Sequence, residues 1–177
     1  MSEPSMHDLA ARLARGDEAA FTELYDACAD RLHAYLVGRL GSRDVASDVL
    51  QTAFLRAVRS RRRFRKVENP VAYLFQIARN EVAREIGRRR SNEQAVPSDE
   101  LFAVASDMNG QAEYAEVAAA ALARLSEAER ELVVLKIFGG LTFREIAQIV
   151  GRPQATVATQ YRRAIESLRG WLTRQLR

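Results

Sequence analysis

The stretch that most constrains the fold is LTFREIAQIVGRPQATVATQYRRAIESLRGWL, residues 141–172, which predicts two helices joined by a tight turn. Thr142 and Glu145 have capping-box spacing, so the first helix can begin by satisfying its own free amides. Gly151 can adopt the left-handed conformation that ends this helix, and Pro153 favours the first turn of the next one. Apolar residues then recur at helical spacing: Val157, Tyr161, Ile165, Leu168 and Leu172.

This pattern is typical of a helix-turn-helix that binds DNA. Ala147 is small enough to let the second helix cross closely, and Val157 anchors that helix so that its opposite face projects toward a major groove. From Gly151 onward the chain has six Arg residues and one acid, Glu166, a net charge of +5 that suits phosphate contacts. The alternative is an ordinary helical hairpin with a solvated basic face. The candidate DNA-reading residues are Arg152, Gln154, Thr156, Thr159, Arg162 and Arg163.

The composition indicates an all-α fold. With 177 residues, 47% of them hydrophobic, the chain can form one or two domains whose core needs no disulfide. No apolar run approaches the ~20 residues that span a bilayer. The N-terminus lacks the apolar core of a signal peptide, so we expect a cytoplasmic protein without membrane insertion. The single cysteine, Cys28, lies on an apolar helical face and is expected to serve packing.

Four helices are predicted in residues 1–90. The first covers 6–15, the second follows its N-cap Asp17, and the third is marked by apolar residues between 45 and 58. Asn69 and Pro70 are an N-cap and first-turn signal for a fourth helix that reaches about residue 90.

Two features of this first domain bear on nucleic acid. The run from Arg56 to Lys66 has seven positive charges and no acid, and the interleaved Phe64 makes nucleic-acid binding a better interpretation than a solvated loop. The fourth helix carries an aromatic, an amide and a guanidinium in one stripe, Tyr73, Asn80 and Arg84, which could bind a separated DNA strand. For the stripe, periodicity alone favours a partly buried tyrosine beside solvent-facing polar residues.

Residues 91–111 are rich in Ser, Asn, Asp, Pro and Gly, which predicts a flexible linker. The linker divides the chain into a first helical domain, 1–90, and a second, 112–177, that contains the helix-turn-helix. Residues 1–90 have 17 basic and 12 acidic residues, a net +5, whereas residues 91–131 have two and nine, a net −7. Two separated basic stretches fit two DNA contacts on a tether better than one continuous groove.

The second domain is predicted to contain four helices. Apolar residues between 114 and 125 mark the first, and Ser126 with Glu129 forms a capping box that opens a helix reaching about Phe138. The helix-turn-helix supplies the other two.

No catalytic or metal-ligating pattern is found in the sequence. His7 and His33 stand alone, there is no Gly-rich phosphate loop, and the carboxylates lie at helix starts and on polar faces, where capping explains them. We therefore expect no enzymatic activity, cofactor, metal or small-molecule substrate.

Three segments, in order, resemble the extracytoplasmic function (ECF) sigma factors of the bacterial sigma-70 family. DVLQTAFLRAV (48–58) is similar to the family's D-L-V-Q-E-T-F-L-R-A-W segment, YLFQIARNEVAREIGRRR (73–90) to its W-L-x-x-I-A-R-N segment, and residues 125–169 to its C-terminal DNA-reading segment. Tyr73 and Val58 stand where the family usually has Trp, and Ala155 replaces a usual Gly, so no promoter sequence is carried over.

The resemblance implies a transcription initiation factor that binds promoter DNA and core RNA polymerase. The third helix would contact the β′ clamp helices through Asp48, Gln51, Phe54 and Arg56. The loop 61–69 and the helix stripe would recognise and open the minus-ten element through Arg62, Arg63, Phe64, Arg65, Lys66, Tyr73, Asn80 and Arg84.

In the same resemblance the second domain would touch the polymerase β flap, and its second helix-turn-helix helix would read the minus-thirty-five element. Many relatives have an anti-sigma factor, but no residue here decides whether this chain has one. The alternative function is a free-standing helix-turn-helix regulator. Such proteins usually dimerise on symmetric half-sites, and the chain shows no obvious dimerisation element.

Overall fold

The computed structural model describes residues 6–91, 117 and 120–175, and the regular structure in these ranges is entirely helical, as predicted. Residues 120–123 are helical, whereas 92–111 of the predicted linker and most of the helix predicted before residue 125 lie outside the described residues. The helices are α1 (Met6–Arg15), α2 (Glu18–Leu40), α3 (Arg43–Arg59), a 3₁₀ helix (Arg61–Lys66), α4 (Pro70–Ser91), α5 (Glu127–Ile137), α6 (Phe143–Val150) and α7 (Gln154–Gln175).

The helices begin where the capping residues predict. Asp17 Oδ1 accepts hydrogen bonds from the amides of the two residues that follow Glu18, and Asn69 Oδ1 does the same for the first turn of α4. Each satisfies amides that a helix N-terminus leaves free. Reciprocal capping boxes open α5 and α6, formed by Ser126 with Glu129 and by Thr142 with Glu145.

The first domain is built around α2, which packs against α1, α3 and α4. Leu24, Leu32 and Tyr35 of α2 and Phe75 of α4 are fully buried there. Burying a large apolar side chain contributes roughly 1.5–3 kcal/mol, so these residues account for much of the domain's stability. Cys28 is buried in the same core, its thiol donates to the Leu24 carbonyl at 2.9 Å, and burial raises the pKa of this thiol to about 12. Its predicted packing role is confirmed.

The two domains share one hydrophobic core. Val134 of α5 and Ile146 of α6 are fully buried in the same cluster as Tyr35 and Phe75 of the first domain. A Cβ atom at Gly38 would lie 3.2 Å from Val134 Cγ1, so the missing side chain lets α5 approach α2 closely. The sequence predicted tethered domains; their direct contact is a finding of the tertiary structure.

Ion pairs and hydrogen bonds surround this shared core. Arg79 of α4 donates through Nε and Nη2 to the two carboxylate oxygens of Glu131 on α5, at 2.9 and 3.3 Å. Arg39 of α2 lies 3.8 Å from the same carboxylate. Asn69 donates to Glu145, so the residue that caps α4 also contacts the capping residue of α6. The Asn69–Glu145 contact joins the start of α4 to the helix-turn-helix, and the contacts of Glu131 join α5 to α2 and α4.

No described helix has the length and apolar character needed to cross a membrane.

Candidate nucleic-acid interface

The turn between α6 and α7 has the geometry of a helix-turn-helix. Gly151 ends α6 with φ +68°, a left-handed conformation that favours glycine. Val157 is fully buried and fixes α7 on α6, while Ala147 lies partly buried between them. The roles predicted for these three residues in the turn and its packing are confirmed.

The outer face of α7 is open to solvent. Its inner face packs on Leu125, Val133 and their neighbours in a second apolar cluster, which leaves the opposite side unobstructed. Arg152 donates to Gln160 at 3.1 Å, and Arg162 Nε donates to the Ala158 carbonyl at 3.3 Å. All the candidate reading residues are exposed: Arg152, Gln154, Thr156, Thr159, Arg162 and Arg163.

Residues 61–66 of the basic run form a 3₁₀ helix where a loop over 61–69 was predicted, and Arg56 and Arg59 of the run lie at the end of α3. The cationic side chains Arg62, Arg63, Arg65 and Lys66 of the 3₁₀ helix are exposed. They form a second basic surface, on a different domain from α7.

Phe64 corrects a prediction. Its ring is fully buried, lies edge-on to Tyr73 with centroids 5.2 Å apart, and contacts Phe21 at 6.2 Å. The 3₁₀ helix packs against α1, and this packing turns Phe64 inward. Phe64 is therefore not available to a DNA strand, and instead it packs against the Tyr73 ring from the side of the core.

The predicted stripe on α4 lines a cleft of about 710 Å³ between α3 and α4. Tyr73 is half-buried, whereas Asn80 and Arg84 are exposed. The cleft is lined by Thr52, Leu55, Arg56, Arg59, Ser60, Arg63, Tyr73, Ile77, Asn80, Glu81 and Arg84. The structure thus brings the stripe and part of the basic run to one concave surface.

Glu81 is a residue of this cleft that sequence reasoning missed. Its side chain is 7% exposed, and its Oε1 atom accepts a hydrogen bond from Arg84 Nη1 and forms an ion pair with Arg56 Nε at 2.8 Å. The spacing of Glu81 and Arg84 on one helix was a visible signal. The pairing with Arg56 was not visible, because that residue lies on another helix.

The residues that the resemblance assigned to polymerase are distributed along α3. Asp48 and Gln51 are exposed, and Phe54 is partly buried with its ring 4.9 Å from that of Tyr25. Arg56 reaches the α3–α4 cleft, where it meets Glu81. Exposed apolar side chains accompany this surface: Tyr25, Leu55 and Val58.

Within the ranges that the structure covers, no group of three or more His, Cys, Asp or Glu side chains is placed to hold a metal ion.

In the residues that the structure describes, helical domains with a helix-turn-helix and a second exposed basic surface are typical of a DNA-binding protein. Comparison with known proteins agrees: residues 24–92 match the sigma-70 region 2 family and residues 115–168 match sigma-70 region 4. The chain belongs to the ECF RNA polymerase sigma factors of the sigma-70 family, and it functions in transcription initiation.

Two relatives illustrate the similarity in sequence. The chain is 34% identical over 164 residues to the ECF sigma factor RpoE of Cereibacter sphaeroides. The matched region covers 86% of this chain and 86% of that relative. It is 30% identical over 169 residues to BldN of Streptomyces coelicolor, covering 92% of this chain and 64% of that relative.

Two solved structures share the fold. CnrH, in complex with the cytosolic domain of CnrY, has a TM-score of 0.69 at 22% identity, covering 95% of this chain and 97% of that one. The sigma factor RpoE of Bartonella quintana, solved with the anti-sigma factor NepR, has a TM-score of 0.67 at 23% identity, covering 88% and 96%.

Proposed function

We propose that the two domains divide promoter recognition between them and that the chain has no catalytic activity of its own. Residues 1–90 bind the β′ clamp helices and open the minus-ten element, and residues 112–177 bind the β flap and read the minus-thirty-five element. The observation that carries this proposal is the placement of two exposed arginine-rich surfaces on different domains, one on a helix-turn-helix and one beside a cleft.

Duplex reading is assigned to the outer face of α7. Gln154 and Thr156, in the first turn, can hydrogen-bond base edges in a major groove. Arg162 and Arg163, about two turns further on, can bind phosphates or guanine. The buried Val157 holds the helix rigidly on α6, so the side chains on its outer face keep a fixed spacing.

Strand opening is assigned to the α3–α4 cleft. The Tyr73 ring is held edge-on by Phe64, and Asn80 and Arg84 lie exposed along the same helix. A base stacked on an aromatic side chain gains about 1–3 kcal/mol, which favours a separated strand over a paired one. The exposed cations of the 3₁₀ helix can bind the phosphates of that strand: Arg62, Arg63, Arg65 and Lys66.

Polymerase binding is assigned to α3. Asp48, Gln51 and Phe54 provide charge, amide and ring contacts, and the exposed apolar side chains Leu55 and Val58 are typical of a protein-docking surface. Because the Bartonella quintana neighbour was solved with its anti-sigma factor, we include such a factor among the proposed partners.

The decisive experiment is transcription with purified core RNA polymerase. Core plus this chain should start transcripts at discrete promoters that core alone does not use. Failure to bind core would refute the proposal. A stable dimer that binds a palindromic site without polymerase would support a free-standing regulator instead.

Two substitutions test the division of labour in the holoenzyme. Arg162→Ala should weaken binding to the duplex minus-thirty-five element. The negative slope of log K against log salt should become shallower by about 0.9, as expected for the loss of one phosphate contact. Asn80→Ala should reduce promoter opening, measured by permanganate reactivity, more than duplex binding. Arg174→Ala, an exposed arginine further along α7, is the matched control. Equal losses in both assays for both variants would contradict the assignment.

A further inference from the structure

We infer that Glu81 is a specificity-determining residue, which orients Arg56 and Arg84 at the α3–α4 cleft and restrains them from binding phosphate. The inference rests on the proposed opening of the minus-ten element by this cleft. The inference concerns the preference of the cleft for one single-stranded DNA sequence over another. Basic residues alone do not explain such a preference, because they bind the phosphates of every strand.

The geometry places one acid between two cations. Arg56 comes from α3 and Arg84 from α4; Arg84 donates a hydrogen bond to Oε1 of Glu81, and Arg56 Nε forms an ion pair with the same oxygen at 2.8 Å. The Glu81 side chain is 7% exposed, whereas those of Arg56 and Arg84 are 47% and 59% exposed. The buried carboxylate therefore contacts both guanidinium groups, which stay partly exposed and line the cleft.

The charge of Glu81 changes what the cleft attracts. Four arginines line the cleft, Arg56, Arg59, Arg63 and Arg84, and without Glu81 their summed charge of +4 would favour the phosphates of any strand. The Glu81 carboxylate lowers this charge to +3, and because it lies beside Arg56 and Arg84 it disfavours an anion next to these two residues. An oriented guanidinium with free donors is suited to a base edge, since its planar fork matches paired acceptors.

Glu85 offers a natural comparison on the same helix. It also pairs with two arginines, Arg88 at 2.9 Å and Arg89 at 2.9 Å, and its side chain is 12% exposed. Glu85 does not line the α3–α4 cleft. A purely structural role for an acid between two arginines would apply to both residues, whereas a role in strand selection would apply to Glu81 alone.

The test uses the holoenzyme and short fluorescent single strands. One oligonucleotide carries the non-template minus-ten strand of a promoter found by transcript mapping, and the other is a scrambled strand of the same composition. The dissociation constants of both strands are measured at several salt concentrations for wild type, Glu81→Gln, Glu81→Asp and Glu85→Gln.

For Glu81→Gln we expect the preference for the promoter strand over the scrambled strand to fall by about tenfold, as when one oriented arginine–base contact is lost. The slope of log K against log salt should steepen by about 0.7 for each phosphate newly bound. Glu81→Asp keeps the charge and should keep the wild-type slope. Glu85→Gln should change neither quantity.

Unchanged preference and slope in Glu81→Gln, or equal changes in Glu81→Gln and Glu85→Gln, would overturn the inference. If Glu81→Gln lowers the melting temperature, Glu81→Asp still decides: a steepened slope in that variant would overturn the inference. A wild-type holoenzyme that starts no transcripts would instead refute the proposed function, so the two failures are distinguishable.

Discussion

The ion pair between Arg79 and Glu131 links the two domains, and its coupling free energy can be measured. We consider a double-mutant cycle of wild type, Arg79→Ala, Glu131→Ala and the double variant. A hydrogen bond to a charged group contributes about 1.5–3 kcal/mol, and this pair has two, at 2.9 and 3.3 Å. The Glu131 side chain is 11% exposed but that of Arg79 is 34% exposed, so solvent screens the pair. We therefore expect a coupling free energy of about 1–2 kcal/mol.

The assay is urea unfolding of the four full-length proteins, monitored by circular dichroism. A matched cycle on Arg88 and Glu85 serves as the control, because this pair lies within α4 and reports nothing about the domain contact. The Arg88 side chain is 61% exposed, so solvent screens this pair more strongly and we expect a smaller coupling there than for Arg79 and Glu131. A coupling for Arg79 and Glu131 within about 0.5 kcal/mol of zero, the usual limit of additivity, would refute the reasoning.

Three further predictions concern single sites. Phe64→Ala should lower the free energy of unfolding by about 3–5 kcal/mol, because the ring is fully buried; a loss below about 1 kcal/mol in urea unfolding would contradict its place in the core. Ser126→Ala should cost about 1 kcal/mol at pH 7. The hydrogen bonds from Ser126 lower the pKa of Glu129 below its ordinary 4.5, so their contribution is present above that pH and is lost as the pH falls through the lowered value. The difference between wild type and Ser126→Ala in urea unfolding should therefore shrink toward pH 3, and a difference that grows there would contradict this sign. Cys28 should react slowly with a thiol reagent at pH 8 in the native protein and quickly in urea, because burial raises the pKa of its thiol to about 12; equal rates would show that the thiol is accessible.

Sequence reasoning succeeded where the interactions are local. The capping boxes, the N-caps Asp17 and Asn69, and the left-handed Gly151 all depend on residues within a few positions of one another. Apolar spacing likewise identified Val157 as the buried anchor of α7. These features require no knowledge of how distant helices pack.

Sequence reasoning failed for Phe64 and Glu81, for a common physical reason. An aromatic residue within a basic run is compatible with a base-stacking surface and with a core, and only the packing of α1 on the 3₁₀ helix decides between them. The partner of Glu81 on α3 is likewise set by how α3 and α4 lie together. The family resemblance did not resolve either point, since it assigned roles to positions and not to side-chain environments.

The amino-acid sequence by itself determined an all-helical fold class, the approximate positions of the described α-helices, the helix-turn-helix and the two arginine-rich stretches, since each follows from propensity, capping and periodicity over a few turns. Tertiary structure alone decided the burial of Phe64, the sharing of Glu81 by two arginines, and the contact of Arg79 with Glu131, 52 residues away. Contacts of this kind depend on the complementary packing of whole helix faces, a property that no short stretch of sequence contains.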